Sequence, residues 1–347
     1  MPELIVTNFN RNFTGVSATA AGVVRRHAAR YDLVLAGHTL PGCPDPVTPA
    51  QARRFSRKAP AGRPFVIWHV RRNTEMRAAL WARDVLRLPI RIVFTSAAIR
   101  RHSAFPRWLI SRMDAVIATT EAAAQFVPHV RAVAPHGVDT ERFLPAPDRA
   151  AAWAATGHPG TRGIATIGRI RPEKGTDRFV AAMLRVLPQQ PDLTALVIGR
   201  AARGDQAFLD GLKRQVDAAG LSGRLLFPGE IAPDALPGVL QGLSAVVQLP
   251  RYEGYGMAPL EGMACGVPFI ATDQGYYRSF SAQGQCGVIV PGDDPDAVAA
   301  QLTALLTDPE RLEQMGRNAR SAAETHFSLT AEADAIAQVY EDLWAGR

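Results

Sequence analysis

Two α/β domains, each a doubly wound parallel sheet covered by helices, are what this chain of 347 residues predicts. Three observations lead there. Short apolar runs alternate with amphipathic segments through both halves, the length suits two domains of ordinary size, and a Pro- and Gly-rich stretch falls between the halves. In the first half, strands are expected at Leu4–Val6, Leu33–Leu35, Phe65–Val70, Ile90–Phe94, Ala115–Ala118 and Ala132–Ala134. In the second they are expected at Ile164–Ile167, Ala195–Ile198, Leu225–Phe227, Ala245–Leu249, Phe269–Ala271 and Val288–Val290. Helical periodicity fills the gaps, as at Val16–Arg30, Thr176–Leu187 and Asp205–Ala219. Asp294–Leu306 follows Asp293-Asp294-Pro295, with Pro near the first helical position. Further helices are expected from about Pro309 to Glu324 and from about Leu329 to Trp344. The segment from Pro145-Ala-Pro-Asp148 through Gly157-His-Pro-Gly160 reads as the linker. Open α/β sheets bind ligands at the carboxyl ends of their strands, so the site is expected in the cleft between two facing domains.

Composition narrows the function. Hydrophobic residues make up 47% and charged residues 20%, a globular balance. No apolar run approaches the roughly 18 residues that span a bilayer. The segment Met1–Asn10 has neither the basic start nor the apolar stretch of a signal peptide. Cys43, Cys265 and Cys286 are odd in number and widely spaced, which fits neither a disulfide framework nor a metal knuckle; a cytoplasmic setting follows. The net charge of +7 hides an asymmetry: residues 1–145 carry 21 basic and 9 acidic residues, a surplus of +12, and the remainder carries −5. A basic half fits an anionic partner such as a membrane surface or an acidic substrate, or simply a preference for arginine. Nucleic acid has little support, since neither zinc-finger spacing nor an RNA-recognition pattern of aromatics is present.

The stretch Glu253-Gly-Tyr-Gly-Met-Ala-Pro-Leu-Glu261 is the most informative. It follows an apolar strand and opens a helix, and the free N–H groups of a helix start attract phosphate. Its two carboxylates repel phosphate but suit sugar hydroxyls, so the loop reads as a nucleotide-sugar site. A second loop, Ile167-Gly-Arg169-Ile-Arg-Pro-Glu-Lys174-Gly175, places two cations after a strand. Arginine grips a diphosphate with its fork and lysine adds a point charge; the alternative is a solvated basic loop with a helix cap. Gly15, in the loop Phe9–Val16, would let backbone approach a ligand, or would serve an ordinary turn. His69, Arg71, Arg72 and Asn73 form a polar cluster at the carboxyl end of a buried strand. His69 is there a ligand contact or a satisfied core histidine, and the arginines meet an anionic acceptor or merely begin a helix. In Pro135-His136-Gly137-Val138-Asp139, Gly137 is expected in a left-handed turn and Asp139 as a cap. No metal is expected: the Asp-x-Asp at Asp294-Pro-Asp296 falls where a helix cap belongs. Arg169, Lys174 and helix N–H groups must then stabilise a leaving diphosphate.

Together, Glu253-x7-Glu261, Gly168-Arg169…Lys174-Gly175, Gly137-Val138-Asp139…Arg142-Phe143 and Gly15 resemble the retaining glycosyltransferases of family four, which have the GT-B fold. Trp68-His-Val-Arg-Arg-Asn-Thr-Glu-Met76 and the run from Pro106 to Ala118 are most like lipopolysaccharide-core mannosyltransferases. The resemblance implies an N-terminal acceptor-side domain at 1–145, a linker at 146–161, a nucleotide-sugar domain at 162–326 and a helix at 327–347 crossing back to the first domain. It implies that Arg169 and Lys174 hold the diphosphate, and that Glu253 binds the transferred sugar with the backbone of Gly254, Tyr255, Gly256, Met257 and Ala258 nearby. Glu261 would bind the ribose, Gly199 and Arg200 would lie near the base, and His69 would face the donor sugar. His136 departs from the Asn common before Gly-Val-Asp. The expected reaction moves mannose from GDP-mannose, without metal or other cofactor, onto an anionic glycolipid such as the lipopolysaccharide inner core, at the inner membrane surface. The alternatives are a UDP-sugar-dependent enzyme of the same fold, an epimerase or hydrolase of that fold, and a non-catalytic protein that binds anionic surfaces.

Overall fold

A computed structural model describes residues 1–12 and 14–347; Phe13, inside the first loop, lies outside the described residues. The chain divides into two compact units, Met1–Gly137 with Ser328–Arg347, and Val138–Phe327. Unit 1 holds six strands: β1 (Leu4–Asn8), β2 (Leu33–Gly37), β3 (Val66–Val70), β4 (Ile90–Ser96), β5 (Ala115–Ala118) and β6 (Val130–Val133). All pair in parallel, in the order β2-β1-β3-β4-β5-β6. β1, β3 and β5 are buried throughout, which is why they read as unbroken apolar runs: helices cover both faces. One face packs on the helices Gly15–Ala28 and Leu329–Trp344, through Val23, Val24, Ile336 and Tyr340. The other packs on Asn73–Leu80 and Ala104–Ser111.

The helix Leu329–Trp344 is thus an integral layer of unit 1. Ser328 caps it by accepting the Ala331 N–H. Its Ala333 carbonyl meets the His27 Nε2 at 2.8 Å, and the Trp344 indole donates to the Phe65 carbonyl at 3.0 Å.

Unit 2 holds β7 (Arg162–Ile167), β8 (Leu193–Ile198), β9 (Leu225–Gly229), β10 (Leu243–Gln248), β11 (Phe269–Ala271) and β12 (Gly287–Ile289). These too are all parallel, in the order β12-β11-β10-β7-β8-β9. Its two cores lie on opposite sheet faces. The helices Pro295–Leu306 and Pro309–Thr325 each begin with Pro behind an Asp cap, Asp294 and Asp308. Asp294-Pro-Asp296 is therefore a cap, as its position suggested.

The passage between units differs from the expected linker. The chain leaves unit 1 after Gly137 and returns after Phe327. Residues 146–161, despite their prolines and glycines, belong to unit 2: the helix Arg149–Ala155 drives Trp153 into the core at 1% exposure. Gly163 makes room for it, since a Cβ there would lie 1.9 Å from the indole ring. Gly137 is not left-handed. It is a glycine because a Cβ would lie 2.3 Å from the Ser328 carbonyl oxygen. Its N–H and the His136 Nδ1 both bind Glu332, at 2.8 Å each.

In each sheet, strand order reverses at one place: between β1 and β3 in unit 1, and between β7 and β10 in unit 2. At such a reversal the two flanking loops splay apart and leave a crevice at the strands' carboxyl ends.

Candidate active site

In unit 2 the loops after β7 and β10 meet at that reversal. Gly175 sits at φ +68°, and a Cβ there would fall 1.8 Å from the Leu249 carbonyl oxygen, so only glycine lets the loops touch. Arg251 fastens them further: its fork takes the Asp177 carboxylate at 2.8 and 2.6 Å, and its N–H donates to the Glu173 carbonyl at 2.9 Å. The fork and its hydrogen bonds hold Asp177 below the usual carboxylate range even against partial burial, which pushes the other way. Beside this clamp the Lys174 ammonium meets Glu253 Oε2 at 2.6 Å, and the Gly254 N–H donates to Glu253 Oε1 at 2.9 Å. The two residues expected to share a donor are thus brought together across 79 positions of chain. An ammonium has three hydrogens, so Lys174 keeps two for a ligand. Arg169 is exposed at the same strand end and, among the described residues, has no hydrogen bond or ion pair.

Gly256, at φ +99°, turns the chain into the helix Met257–Ala264 without a side-chain cap, leaving the N–H groups of Met257 and Ala258 at an open helix start. A Cβ on Gly256 would lie 2.1 Å from the buried Tyr277 ring. Burial, and then the charge of Glu253, push the Tyr277 phenol well above its ordinary value, so it stays a neutral wall. Tyr255 is buried and stacks on Tyr276 at 5.3 Å. Glu261 lies one turn into the helix; burial pushes its carboxyl up to about 7, with Arg142 pulling it down. Gly199 is at φ +142°, and a Cβ there would lie 1.8 Å from the Gly168 carbonyl oxygen. Arg200 is exposed, 3.6 Å from Glu230. Among the described residues no group of three or more His, Cys, Asp or Glu is arranged to hold a metal ion.

In unit 1 the loops after β1 and β3 are joined by Glu75, which the motif Trp68–Met76 contains without suggesting a role for it. Fully buried, it accepts from Thr7 Oγ1 (3.0 Å), the Phe9 N–H (3.0 Å), the Arg71 N–H (2.8 Å) and Arg72 Nη1 (3.0 Å). Arg72 also reaches Asn8 Oδ1 (3.1 Å) and Ser17 Oγ (3.0 Å), so it is a brace for the first loop. Arg71 differs. Its Nη1 is enclosed and, among the described residues, has no hydrogen-bond partner. Burial pulls its guanidinium below its ordinary value, against Tyr340, Glu75 and Glu332, which favour its charged form. Asn73 is exposed at the start of the helix Asn73–Leu80. Gly15 opens its helix behind Thr14, which makes no side-chain cap; a Cβ on Gly15 would meet none of the described residues within 4 Å.

His69 corrects an expectation. It is fully buried, with Nε2 at 2.7 Å from Thr95 Oγ1 and Nδ1 on the Tyr340 hydroxyl. Burial, with Arg71 and His27 adding to it, keeps the ring neutral. Both nitrogens are engaged, so this is the satisfied core histidine and not a group facing a sugar. Its apolar strand neighbours Val66, Ile67, Trp68 and Val70 were the signal for that outcome. Arg251 and Tyr277 carry no local motif and act on residues distant in sequence, and although Glu75 lies within Trp68–Met76, its bonds to Thr7 and Phe9 span more than 60 positions.

Residues 154–322 match the family model of glycosyl transferases group 1. The chain is 40% identical over 347 residues to the lipopolysaccharide core biosynthesis mannosyltransferase LpsB of Rhizobium meliloti, covering 98% of this chain and 97% of that protein. It is 39% identical over 344 residues to LpcC of Rhizobium leguminosarum bv. viciae, which bears the same description, covering 98% and 96%. Among solved structures it is similar to Anabaena HepE in complex with UDP and glucose, with a TM-score of 0.83 over 99% of this chain and 100% of that one. At 16% identity that likeness speaks for the fold alone.

Proposed function

This chain belongs to the group 1 glycosyl transferases, with the GT-B fold, and from that premise we propose that it transfers mannose from GDP-mannose to a lipid-linked saccharide of the lipopolysaccharide inner core. The reading is supported by the names of two relatives that match nearly the whole chain. The observation that carries the chemistry is the Lys174–Glu253 pair, 2.6 Å apart at the β7–β10 reversal, beside a helix start without a side-chain cap and Arg169, which is unpaired among the described residues. A sugar diphosphate matches this set group by group. Arg169 and Lys174 take the phosphates, joined by the Met257 and Ala258 N–H groups. Glu253 accepts hydroxyls of the transferred sugar, beside the backbone of Gly254, Tyr255 and Gly256. Glu261 accepts the ribose hydroxyls, and Gly199 and Arg200 flank the base. Arg71 is the residue best suited to an anionic group of the acceptor, because its enclosed Nη1 lacks a partner among the described residues.

Transfer occurs with retention and without a metal. The acceptor hydroxyl attacks from the face the diphosphate leaves. The C–O bond to the diphosphate breaks as the new glycosidic bond forms, and the departing phosphate oxygen takes the acceptor's proton. The cations and helix N–H groups then stabilise charge that grows on the diphosphate, the kind of contact worth 10²–10³ in rate. The basic surplus of the first half lets the enzyme work at the cytoplasmic membrane surface, where its acceptor is anchored.

Calorimetric titration with GDP and with UDP tests the donor, and Lys174→Ala and Glu253→Ala test the site. GDP should bind at least about tenfold tighter than UDP, and each variant should lose about 10²–10³ of the transfer rate with its melting temperature unchanged. Tighter UDP binding would replace mannose with a UDP-linked sugar. Wild-type turnover in either variant would overturn the site.

A further inference from the structure

Unit 1 exposes a cluster of large apolar side chains that its own fold leaves uncovered. Trp81 is 45% exposed, Val85 63%, Phe105 52% and Trp108 55%. They are neighbours: all four line one groove of about 810 Å³, between the turn Trp81–Val85 and the helix Ala104–Ser111. Phe105 and Trp108 stack at 6.2 Å. Trp108 also borders a second hollow with Phe126, so the apolar strip continues across the helix. Arginines rim it. Arg53, with its guanidinium 5.0 Å above the Trp81 ring, and Arg77 line the first groove, and Arg107 lines the second. Residues 77–112 hold eight arginines and a single carboxylate, Asp84. Asp84 is taken by Arg83 and Arg112, while Arg77, Arg87, Arg100, Arg101 and Arg107 have no ion pair among the described residues.

We propose that this face is where the protein docks on an anionic lipid bilayer, with Trp81, Phe105 and Trp108 entering the headgroup layer and the surrounding arginines on lipid phosphates. The proposal deepens the functional reading above and rests on its lipid-linked acceptor. Amphipathic aromatic rings settle at the membrane–water boundary, and arginine stems lie along apolar surface while their forks reach phosphate. The occupant follows from charge. A second copy of the chain on this face would oppose two sets of unpaired arginines, whereas an anionic surface neutralises them. Among the described residues no helix is long and apolar enough to cross a membrane, so attachment would be superficial and reversible.

The protein carries its own reporter. Of its five tryptophans, Trp68, Trp153 and Trp344 are buried, leaving Trp81 and Trp108 to respond to a change of medium. Vesicles of phosphatidylcholine with phosphatidylglycerol should shift the emission to the blue, and phosphatidylcholine alone should not. The Trp81→Phe/Trp108→Phe variant should show no shift. Arg77→Gln/Arg107→Gln should weaken co-sedimentation about 30-fold, since each basic residue near such a surface contributes about fivefold. Sedimentation with anionic vesicles and unchanged emission overturns the insertion, and so does equal binding to neutral vesicles. A blue shift that grows with protein concentration in the absence of lipid gives the face to a second copy instead. Calorimetry with GDP and UDP on the same preparations separates the two readings. Nucleotide binding without vesicle binding removes only this proposal, and vesicle binding without nucleotide binding removes only the enzymatic one.

Discussion

At residue scale, Glu261 links the site to pH. Its folded carboxyl sits at about 7, well above its ordinary 4.5, because burial disfavours the charged form. The stability of the protonated form is fully present below about 4.5 and is lost as pH rises through about 7. Wild type should therefore lose about 2 kcal/mol relative to Glu261→Gln between pH 5 and 8, a full shift of this size being discounted for partial exposure. Urea midpoints at both pH values read it, and parallel curves would remove the buried carboxylate from the account. Nucleotide affinity should move the other way, strengthening through neutral pH as the carboxylate gains lone pairs for ribose hydroxyls. Glu261 was legible in sequence as half of a spaced carboxylate pair. Its titration was not, because that comes from the helix packed around it. The same division holds for Glu253 and Lys174: their residue types pointed to a sugar diphosphate, and their 2.6 Å contact became visible only in the folded chain.

At the scale of elements, the twelve expected strands are all present, each within a few residues of its expected bounds. Parallel strands buried on both faces are short, apolar and bounded by turn residues, so sequence displays them directly. Loops are less legible, because what fixes them is contact with another loop. Gly175 shows this: its neighbours suggest a helix start, but the constraint is the Leu249 carbonyl oxygen 1.8 Å from where a Cβ would be. Gly175→Ala combines that clash with a left-handed φ, which costs about 1–2 kcal/mol on its own. The variant should lose at least about 2 kcal/mol in urea, with nucleotide affinity falling alongside as the loops after β7 and β10 separate. Ordinary stability and affinity in Gly175→Ala would mean the two loops do not depend on that contact. Helix boundaries followed local chemistry better: Asp294 caps where a cap is expected, and Asp308 and Ser328 cap the helices expected from about Pro309 and Leu329.

Over the whole molecule, the two units answer acid differently. Burial lowers the pKa of His27 to about 4 and holds His69 well below its ordinary value, both within unit 1. For a depressed histidine the stability is present above about 6.5 and is lost as pH falls towards the folded value. Unit 1 should therefore loosen between pH 6.5 and 4, while Glu261 becomes protonated and unit 2 holds. Hydrogen exchange at pH 7 and pH 5, expressed as protection factors so that the intrinsic pH dependence of amide exchange cancels, should show protection falling at pH 5 in β1, β3 and the helix Leu329–Trp344, with β7 and β10 holding or gaining protection as Glu261 becomes protonated; an equal loss of protection in both units would refute the contrast. The domain boundary was the least legible feature at this scale. Proline and glycine around residues 146–161 imitate a linker, and only the burial of Trp153 reveals that the segment is structural. The helix Leu329–Trp344 carries a further consequence, for the timing of synthesis. Unit 1 is begun first, yet Tyr340 and Trp344, which complete one side of its interior, are translated only after all of Val138–Phe327. At about 5–20 residues per second, β1 to β6 wait on the order of ten to forty seconds with that side covered by the helix Gly15–Ala28 alone. Unit 2 is therefore able to finish folding before the domain that precedes it in the reading frame, and a nascent chain stalled near residue 327 would offer chaperones an exposed half-built sheet.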